Sequence, residues 1–128
     1  MSKYCCLLFV LFLTTKIFSQ TTVTGCEKFK TGKFAYRDST GTICEIKRTG
    51  SVQTDHNPTT NLTIRYKIEW VSECSYKLTQ LWASKKEKRK FNQSWLVYDI
   101  ISITDNTYEY KCKCNDNSKV TGLVMKRE

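Results

Sequence analysis

The chain contains one stretch, residues 62–70, in which apolar and polar residues alternate without interruption. Successive side chains of an extended backbone point to opposite faces, so the even-numbered residues share an apolar face and the odd-numbered residues meet water. A helix would spread the same apolar residues around its circumference. The pattern therefore predicts a β-strand with Ile64 and Ile68 on the buried face, and the same phase continues to Cys74.

The rest of the chain holds shorter segments of the same kind, separated by turn residues. They are 33–38, 42–48, 51–55, 75–82, 95–103, 107–114 and 119–126. The segment 95–103 is apolar on both phases, which predicts a strand covered on both faces or one that crosses the middle of the sheet. Short links favour antiparallel pairing of neighbours. The sequence therefore predicts an all-β fold, an antiparallel up-and-down meander of about eight strands that forms a lipocalin-like barrel or half-barrel.

The N-terminus has the pattern of a secretory signal. Lys3 supplies a positive start, residues 4–13 form a short apolar run, and Ser19 offers a small residue for cleavage. The run is about half the ~20 apolar residues that a membrane-spanning helix needs. We therefore predict a signal peptide at 1–19, a linker at 20–31 and a single β domain at 32–128. The mature protein would be secreted or periplasmic and would have no transmembrane anchor.

Cys26 allows a second interpretation of the export signal. Residues 23–26 (VTGC) look like the lipoprotein cleavage box of bacteria, in which the cysteine is lipidated. That box normally abuts the apolar run, whereas polar residues separate the two in this chain. A lipoprotein anchored through Cys26 is therefore the minor alternative.

The spacing and strand phase of the cysteines predict which of them form disulfides. The predicted mature chain keeps an odd number of cysteines, which in an oxidising compartment leaves one of them unpaired or paired outside the chain. Cys74 lies on the inward phase after the core strand and Cys26 lies just before the first strand, so they form the first predicted disulfide. Cys44 with Cys112 or with Cys114 is the second pairing. The sequence does not choose between these two, and with Cys112 as the partner Cys114 would be the free thiol.

Charge distribution suggests a binding surface. The chain has 21 Lys and Arg residues against 12 Asp and Glu residues, a formal net charge of +9. The excess is concentrated in one segment, whose basic residues are Lys85, Lys86, Lys88, Arg89 and Lys90. Such a run forms either a solvated loop or a surface that binds an anionic polymer, such as lipopolysaccharide, glycan or extracellular DNA, without nucleic-acid specificity.

Catalytic patterns are sparse. His56 is the one histidine of the chain, and no phosphate loop, nucleophile elbow or zinc-protease motif occurs. Asp99 is an acid inside a strongly apolar run, where it is either a paired structural residue or the acid of an enzyme. We predict a non-enzymatic protein without cofactor or metal site, and an enzyme acting through Asp99 is an alternative.

Aromatic residues on the inward phases suggest what the barrel could do. They are Tyr36, Tyr66, Trp70, Tyr108 and Tyr110. In a barrel these side chains either fill the core or line a cavity. The leading functional prediction is therefore a small module that binds an unknown apolar small molecule or envelope component.

Two spaced patterns carry a family resemblance. C-x-x-F-K-T-G-x-F at residues 26–34 and I-x-W-x-x-x-C-x-Y-x-L at residues 68–78 resemble a family of small exported bacterial proteins of uncharacterised function. The resemblance implies an envelope setting and the Cys26–Cys74 pairing. Some members carry a DNA topoisomerase IV label, which we do not transfer, because the chain has neither the phosphate loop nor the acidic metal cluster that such an enzyme needs. Gly32-Lys33-Phe34 also resembles the G-x-W that opens lipocalin barrels, which implies a ligand-holding barrel.

Overall fold

A computed structural model describes residues 22–89, 95–113 and 119–127. The predicted signal peptide at 1–19 lies outside the described residues. Within these ranges the chain forms eight strands and two short 3-10 helices. The strands are β1 (Gly32–Arg37), β2 (Ile43–Thr49), β3 (Val52–Asn57), β4 (Leu62–Ser72), β5 (Ser75–Ala83), β6 (Trp95–Thr104), β7 (Thr107–Lys113) and β8 (Lys119–Arg127). The 3-10 helices span Cys26–Phe29 and Lys86–Lys88.

The strands form one closed barrel. Each strand pairs antiparallel with the next along the chain, and β1 also pairs antiparallel with β8. The predicted all-β antiparallel meander is confirmed, and the β1–β8 pairing makes it a full barrel. Closure satisfies the backbone groups that edge strands of an open sheet would leave unpaired.

Turn residues explain why neighbouring strands pair. Asn61 and Asp105 both have a φ of 51°, in the left-handed region that Asn and Asp tolerate better than most residues. The Asp38 carboxylate accepts hydrogen bonds of 2.9 Å from the backbone N–H groups of Thr40 and Thr42, which holds the turn between β1 and β2. Tight connections of this kind in series produce hairpins, and consecutive hairpins produce the meander.

The two-residue period separates the inside of the barrel from the outside. In β2, Cys44, Ile46 and Arg48 are buried and the residues between them are exposed. In β4, Ile68 is only 3% exposed, whereas Lys67 is exposed. The phase predicted for the core strand is therefore confirmed at its most buried position.

The two ends of the barrel differ. The β2–β3, β4–β5 and β6–β7 turns share one end, which the 3-10 helix Cys26–Phe29 covers with a buried Phe29. A disulfide joins Cys26 to Cys74 in the β4–β5 turn, with Cα atoms 5.4 Å apart. We call this the closed end and the opposite one the open end. The first predicted disulfide is confirmed.

The predicted pairing of Cys44 with Cys112 is wrong. Cys44 is a buried free thiol on β2, whereas Cys112 is on β7. Two strands, β1 and β8, lie between them around the barrel. Because neighbouring strands are about 4.8 Å apart, the two positions are much farther from each other than the roughly 4.4–6.8 Å that a disulfide spans between Cα atoms. Cys114, the other candidate partner and the predicted free thiol, lies outside the described residues.

The described residues also bear on where the protein works. An intramolecular disulfide is typical of oxidising compartments such as the periplasm or the cell exterior. None of the helices in the described ranges is long and apolar enough to cross a lipid bilayer.

Candidate functional site

A buried arginine organises the interior at the closed end. Arg48 is 1% exposed, although it is the last inward residue of β2. Its guanidinium donates three hydrogen bonds of 2.8 Å: to the carbonyl oxygen of Phe29, to Oη of Tyr108 and to Oε1 of Gln53. The fork of the guanidinium thus ties the covering 3-10 helix to the strands on both sides of the barrel.

Aromatic rings surround the same guanidinium. Its central carbon lies 4.8 Å from the ring centroid of Phe34, 4.6 Å from Tyr76, 5.8 Å from Tyr108 and 5.9 Å from Trp70. A cation over a ring face is attracted by the negative face of the π-system, most strongly where water is excluded. The closed end therefore holds its internal positive charge with rings and neutral oxygens.

A cavity of about 90 Å³ lies next to this cluster, inside the barrel. We call it the tyrosine cavity. Its lining residues are Tyr36, Ile46, Gln53, Asp55, Tyr76, Tyr98, Tyr110 and Val124. They come from seven of the eight strands, so the cavity depends on closure of the barrel.

Asp55 places a carboxyl group in the tyrosine cavity. Nε2 of Gln53 donates a 2.9 Å hydrogen bond to Oδ1 of Asp55, and Oε1 of the same Gln53 accepts from Arg48. Within the described part of the chain, Oδ2 of Asp55 has no hydrogen-bond donor. Burial raises the pKa of the Asp55 carboxyl from 3.8 to about 6, although the Gln53 hydrogen bond and the charge of Arg48 lower it. Ionised Asp55 is therefore an incompletely stabilised anion.

Tyrosine hydroxyls and ring faces form most of the remaining wall. Burial raises the pKa values of Tyr36, Tyr66 and Tyr98 above their ordinary value, and the negative charge of Asp55 adds to each rise. These side chains are therefore neutral hydrogen-bonding groups at physiological pH. The ring of Tyr98 stacks on Tyr76 at 5.2 Å and meets Tyr110 edge-on at 5.3 Å.

Gly122 makes room for one wall of the cavity. A Cβ atom at this position in β8 would lie 2.5 Å from Oη of Tyr110 and 2.6 Å from its Cζ. Real Cβ atoms do not approach other atoms so closely, so the Tyr110 ring occupies the space that a side chain at 122 would need.

The cavity contains some of the predicted ligand-lining residues. Tyr36 and Tyr110 line it, and Tyr66 is close enough to feel the charge of Asp55. Trp70 and Tyr108 instead belong to the cluster around Arg48. The two groups are connected, because Oη of Tyr108 lies 2.9 Å from Oη of Tyr76, a residue that touches both.

Six of the eight residues that line the cavity were not among the predicted ones, and Gln53, Asp55 and Tyr98 are three of them. Gln53 and Asp55 share the inward phase of β3, but sequence reasoning expects apolar residues on that phase. Tyr98 lies in the segment that is apolar on both phases, so alternation could not show which way it faces. The one sequence signal for the site was the acidic residue at position 55. In the barrel Asp55 pairs with Ile46 on β2 and with Ile64 on β4, which places it on the inward face.

The basic segment lies at the open end. Lys86, Lys88 and Arg89 are exposed and Lys85 is partly buried, while Lys90 lies outside the described residues. Two hydrogen bonds hold the segment against the barrel, from Gln80 Nε2 to the Lys88 carbonyl at 3.0 Å and from Arg89 Nε to the Ala83 carbonyl at 2.9 Å. The predicted anion-binding residues thus sit on an anchored turn.

Asp99 is on the outer face of the barrel. Its neighbours in the strand are Tyr98, which lines the cavity, and Ile100, which is buried, so Asp99 faces the opposite side. Its carboxylate accepts a 2.6 Å hydrogen bond from Oγ of Ser75 on the neighbouring strand. The structure thus separates Asp99 from the tyrosine cavity by the thickness of the wall, and a catalytic role for it stays a prediction.

A larger groove of about 430 Å³ lies on the outside of β1, β2 and β3. Its walls include the outward side chains of Lys33, Glu45, Lys47, His56 and Arg127. Water and salt screen charges in such a position. We therefore place the candidate site in the smaller interior cavity, where a carboxyl group and several tyrosine hydroxyls converge.

Metal binding has little to build on in the described ranges. They contain no group of three or more His, Cys, Asp or Glu side chains arranged to hold an ion.

Comparison with protein-family models, with curated protein sequences and with solved structures finds no match for the chain.

Proposed function

We propose that the protein is an exported, disulfide-stabilised barrel that binds a small molecule in the tyrosine cavity and does not catalyse a reaction. The observation that carries the proposal is the convergence of Asp55, Gln53 and tyrosine hydroxyls on one space inside the barrel. Eight-stranded barrels of this size are suited to holding one small ligand. The disulfide, typical of oxidising compartments, supports export.

The cavity restricts the ligand by size and polarity. At about 90 Å³ it is well below the roughly 300–1,000 Å³ of pockets that enclose drug-sized molecules. A fatty acid or a sterol would not fit inside it. The hydroxyl, amide and carboxyl groups in its wall favour a ligand with polar groups over the purely apolar ligand that the sequence first suggested.

Binding without catalysis is favoured by the state of the neighbouring thiol. Burial raises the pKa of the Cys44 thiol, and the charges of Asp38 and Asp55 raise it further against a lowering hydrogen bond with Tyr36. Because the thiolate is the nucleophilic form of cysteine, Cys44 is a poor nucleophile. Asp55 therefore has no activated nucleophile beside it on this side of the cavity.

A matched pair of substitutions on β2 tests the proposal. Ile46→Phe adds a ring to a side chain that lines the cavity, whereas Ile43→Phe adds the same ring at a position that is 44% exposed. We expect small polar fragments that shift the melting temperature of the wild type to lose their effect on Ile46→Phe and keep it on Ile43→Phe. Equal effects on both variants would place binding outside the cavity, and no stabilising fragment at all would leave only a packed core.

A second candidate function is binding of an anionic polymer through the basic segment. The observation that favours it is the anchoring of the segment, which holds exposed lysines on a turn at the open end. Replacing Lys85, Lys86 and Lys88 by glutamine should weaken binding to lipopolysaccharide or DNA, and binding of the wild type should fall as salt rises. Binding that ignores both changes would exclude this function.

A further inference from the structure

We infer that the ligand of the tyrosine cavity is a small primary ammonium ion, with the Asp55 carboxylate as its counter-ion and the tyrosines as the wall around it. The inference rests on the proposed function and specifies its ligand class. It is carried by the charge, the rings and the hydrogen-bond acceptors of the cavity.

The charge of Asp55 is only partly compensated by the protein. Arg48 reaches Asp55 only through the side chain of Gln53, and its own hydrogen bonds go to Phe29, Tyr108 and Gln53. The hydrogen bonds of the guanidinium are therefore made at the closed end and not to Asp55. The Gln53 hydrogen bond and the positive charge of Arg48 do not fully offset the effect of burial on Asp55, so an additional cation in the cavity would be favoured.

Aromatic rings form much of the cavity wall around Asp55. Tyr36, Tyr98 and Tyr110 line the same cavity as Asp55, and Tyr66 lies beside it. Aromatic rings around a desolvated cation are a recurrent means of holding ammonium groups. The closed end of this barrel already uses the arrangement for its own cation, because aromatic rings surround the Arg48 guanidinium.

The hydrogen-bond acceptors of the cavity suit a primary ammonium group. A primary ammonium group has three N–H donors and no acceptor. Oδ2 of Asp55, for which the described residues supply no donor, would accept one of them, and the Tyr98 hydroxyl oxygen in the cavity wall has lone pairs that can accept another. A quaternary ammonium would leave Oδ2 without a donor, as would a purely apolar molecule.

Other ligand classes fit the cavity less well. An anion would be repelled by the Asp55 carboxylate, which is only partly exposed to the solvent that would screen its charge. A metal ion would find a single carboxylate, since the described residues contain no metal-binding group of three. The positive net charge of the chain opposes a cation at long range, but physiological salt screens that field beyond about 8 Å.

The test compares butylammonium with butanol on the mature chain. The two probes have the same carbon chain, and only butylammonium is charged. Binding is measured by protein NMR titration on the wild type, on Asp55→Asn and on Asp99→Asn, which removes a carboxylate from the outer face. We expect butylammonium to bind wild type and Asp99→Asn equally, and Asp55→Asn roughly ten- to a hundredfold more weakly. Butanol should bind more weakly than butylammonium and should not distinguish the three proteins.

A second pair of variants tests the role of the rings. Tyr36→Phe keeps the ring and should retain most of the affinity for butylammonium, whereas Tyr36→Leu removes the ring and should lose several-fold. If butylammonium bound these two variants with equal affinity, the Tyr36 ring would make no contribution to binding.

The outcomes separate this inference from the proposed function. If butanol binds as tightly as butylammonium, and both bind Asp55→Asn as well as wild type, the cavity binds ligands but the ammonium class is wrong. If butylammonium fails to bind, or shifts only resonances outside the cavity, while neutral fragments stabilise the wild type and lose their effect on Ile46→Phe, the ammonium class is again wrong and the proposed function stands. If no probe or fragment binds, both are overturned.

Discussion

Replacing Asp55 by asparagine should make the protein more stable at neutral pH. Burial raises the pKa of this carboxyl from 3.8 to about 6, against the lowering effects of Gln53 and Arg48. The folded chain therefore binds the proton more tightly than the unfolded chain does, and ionising the group costs stability. Asparagine keeps an oxygen that can accept the Gln53 hydrogen bond but has no charge to desolvate.

The size of the effect follows from proton linkage. Each tenfold change in proton affinity corresponds to about 1.4 kcal/mol, so a rise of the pKa from 3.8 to about 6 corresponds to a cost of up to about 3 kcal/mol. The cost is absent below about pH 4, where the carboxyl is protonated in both states, and it is complete above about pH 6. The stability of the wild type relative to Asp55→Asn should therefore fall as pH rises through this window.

Urea unfolding of both proteins between about pH 3 and about pH 8 measures this difference. Carboxyls such as Asp38 and Glu69, whose pKa values are lowered by hydrogen bonds with Thr40 and with Lys67, titrate in both proteins and cancel. The groups that face Asp55 keep one protonation state in the window: Arg48 stays charged, and the pKa values of Cys44, Tyr36, Tyr66 and Tyr98 are raised. A stability difference that does not change with pH would refute the reasoning.

Three further predictions concern the closed end and the cavity wall. Serine at both Cys26 and Cys74 should lower the free energy of unfolding by roughly 4 kcal/mol, because the bond joins residues 48 positions apart, and reduction of the wild type should reproduce the loss in urea unfolding. Arg48→Met should cost about 3–5 kcal/mol in the same assay because three buried acceptors lose their donor; a loss under about 1 kcal/mol would contradict its structural role. Gly122→Ala should displace the Tyr110 ring and weaken ligand binding, and unchanged Tyr110 ring-proton shifts in NMR spectra would contradict the close contact.

Alternation was sufficient to predict the fold because most strands have one apolar and one polar face. The predicted segment 107–114 corresponds to β7, and residues 62–82 divide into β4 and β5 as expected. The segment 95–103 is the exception, because it is apolar on both phases. It is one strand, but Trp95 is 52% exposed and Ile101 is 42% exposed, so of the two predicted alternatives the one with cover on both faces is wrong for its outer face. Apolar residues on the outside of a barrel are not distinguishable from core residues by pattern alone.

The site was harder to predict because polar and charged residues occupy inward strand positions, which are expected to be apolar. Gln53 and Asp55 point inward at positions where the pattern expects apolar residues. Arg48, the last inward residue of β2, is charged. Their placement depends on long-range partners such as Phe29 and Tyr108, which only the closed barrel brings near. The error about Cys44 has the same origin, because strand phase does not say how many strands separate two inward cysteines.

The titration of the Asp55 carboxyl carbon, followed by NMR in the free protein and with butylammonium, tests the central claim most directly. We predict a midpoint near pH 6 in the free protein and a lower midpoint with butylammonium, because a neighbouring cation favours the ionised form. A midpoint close to the ordinary value of 3.8 that does not change when butylammonium is added would contradict it.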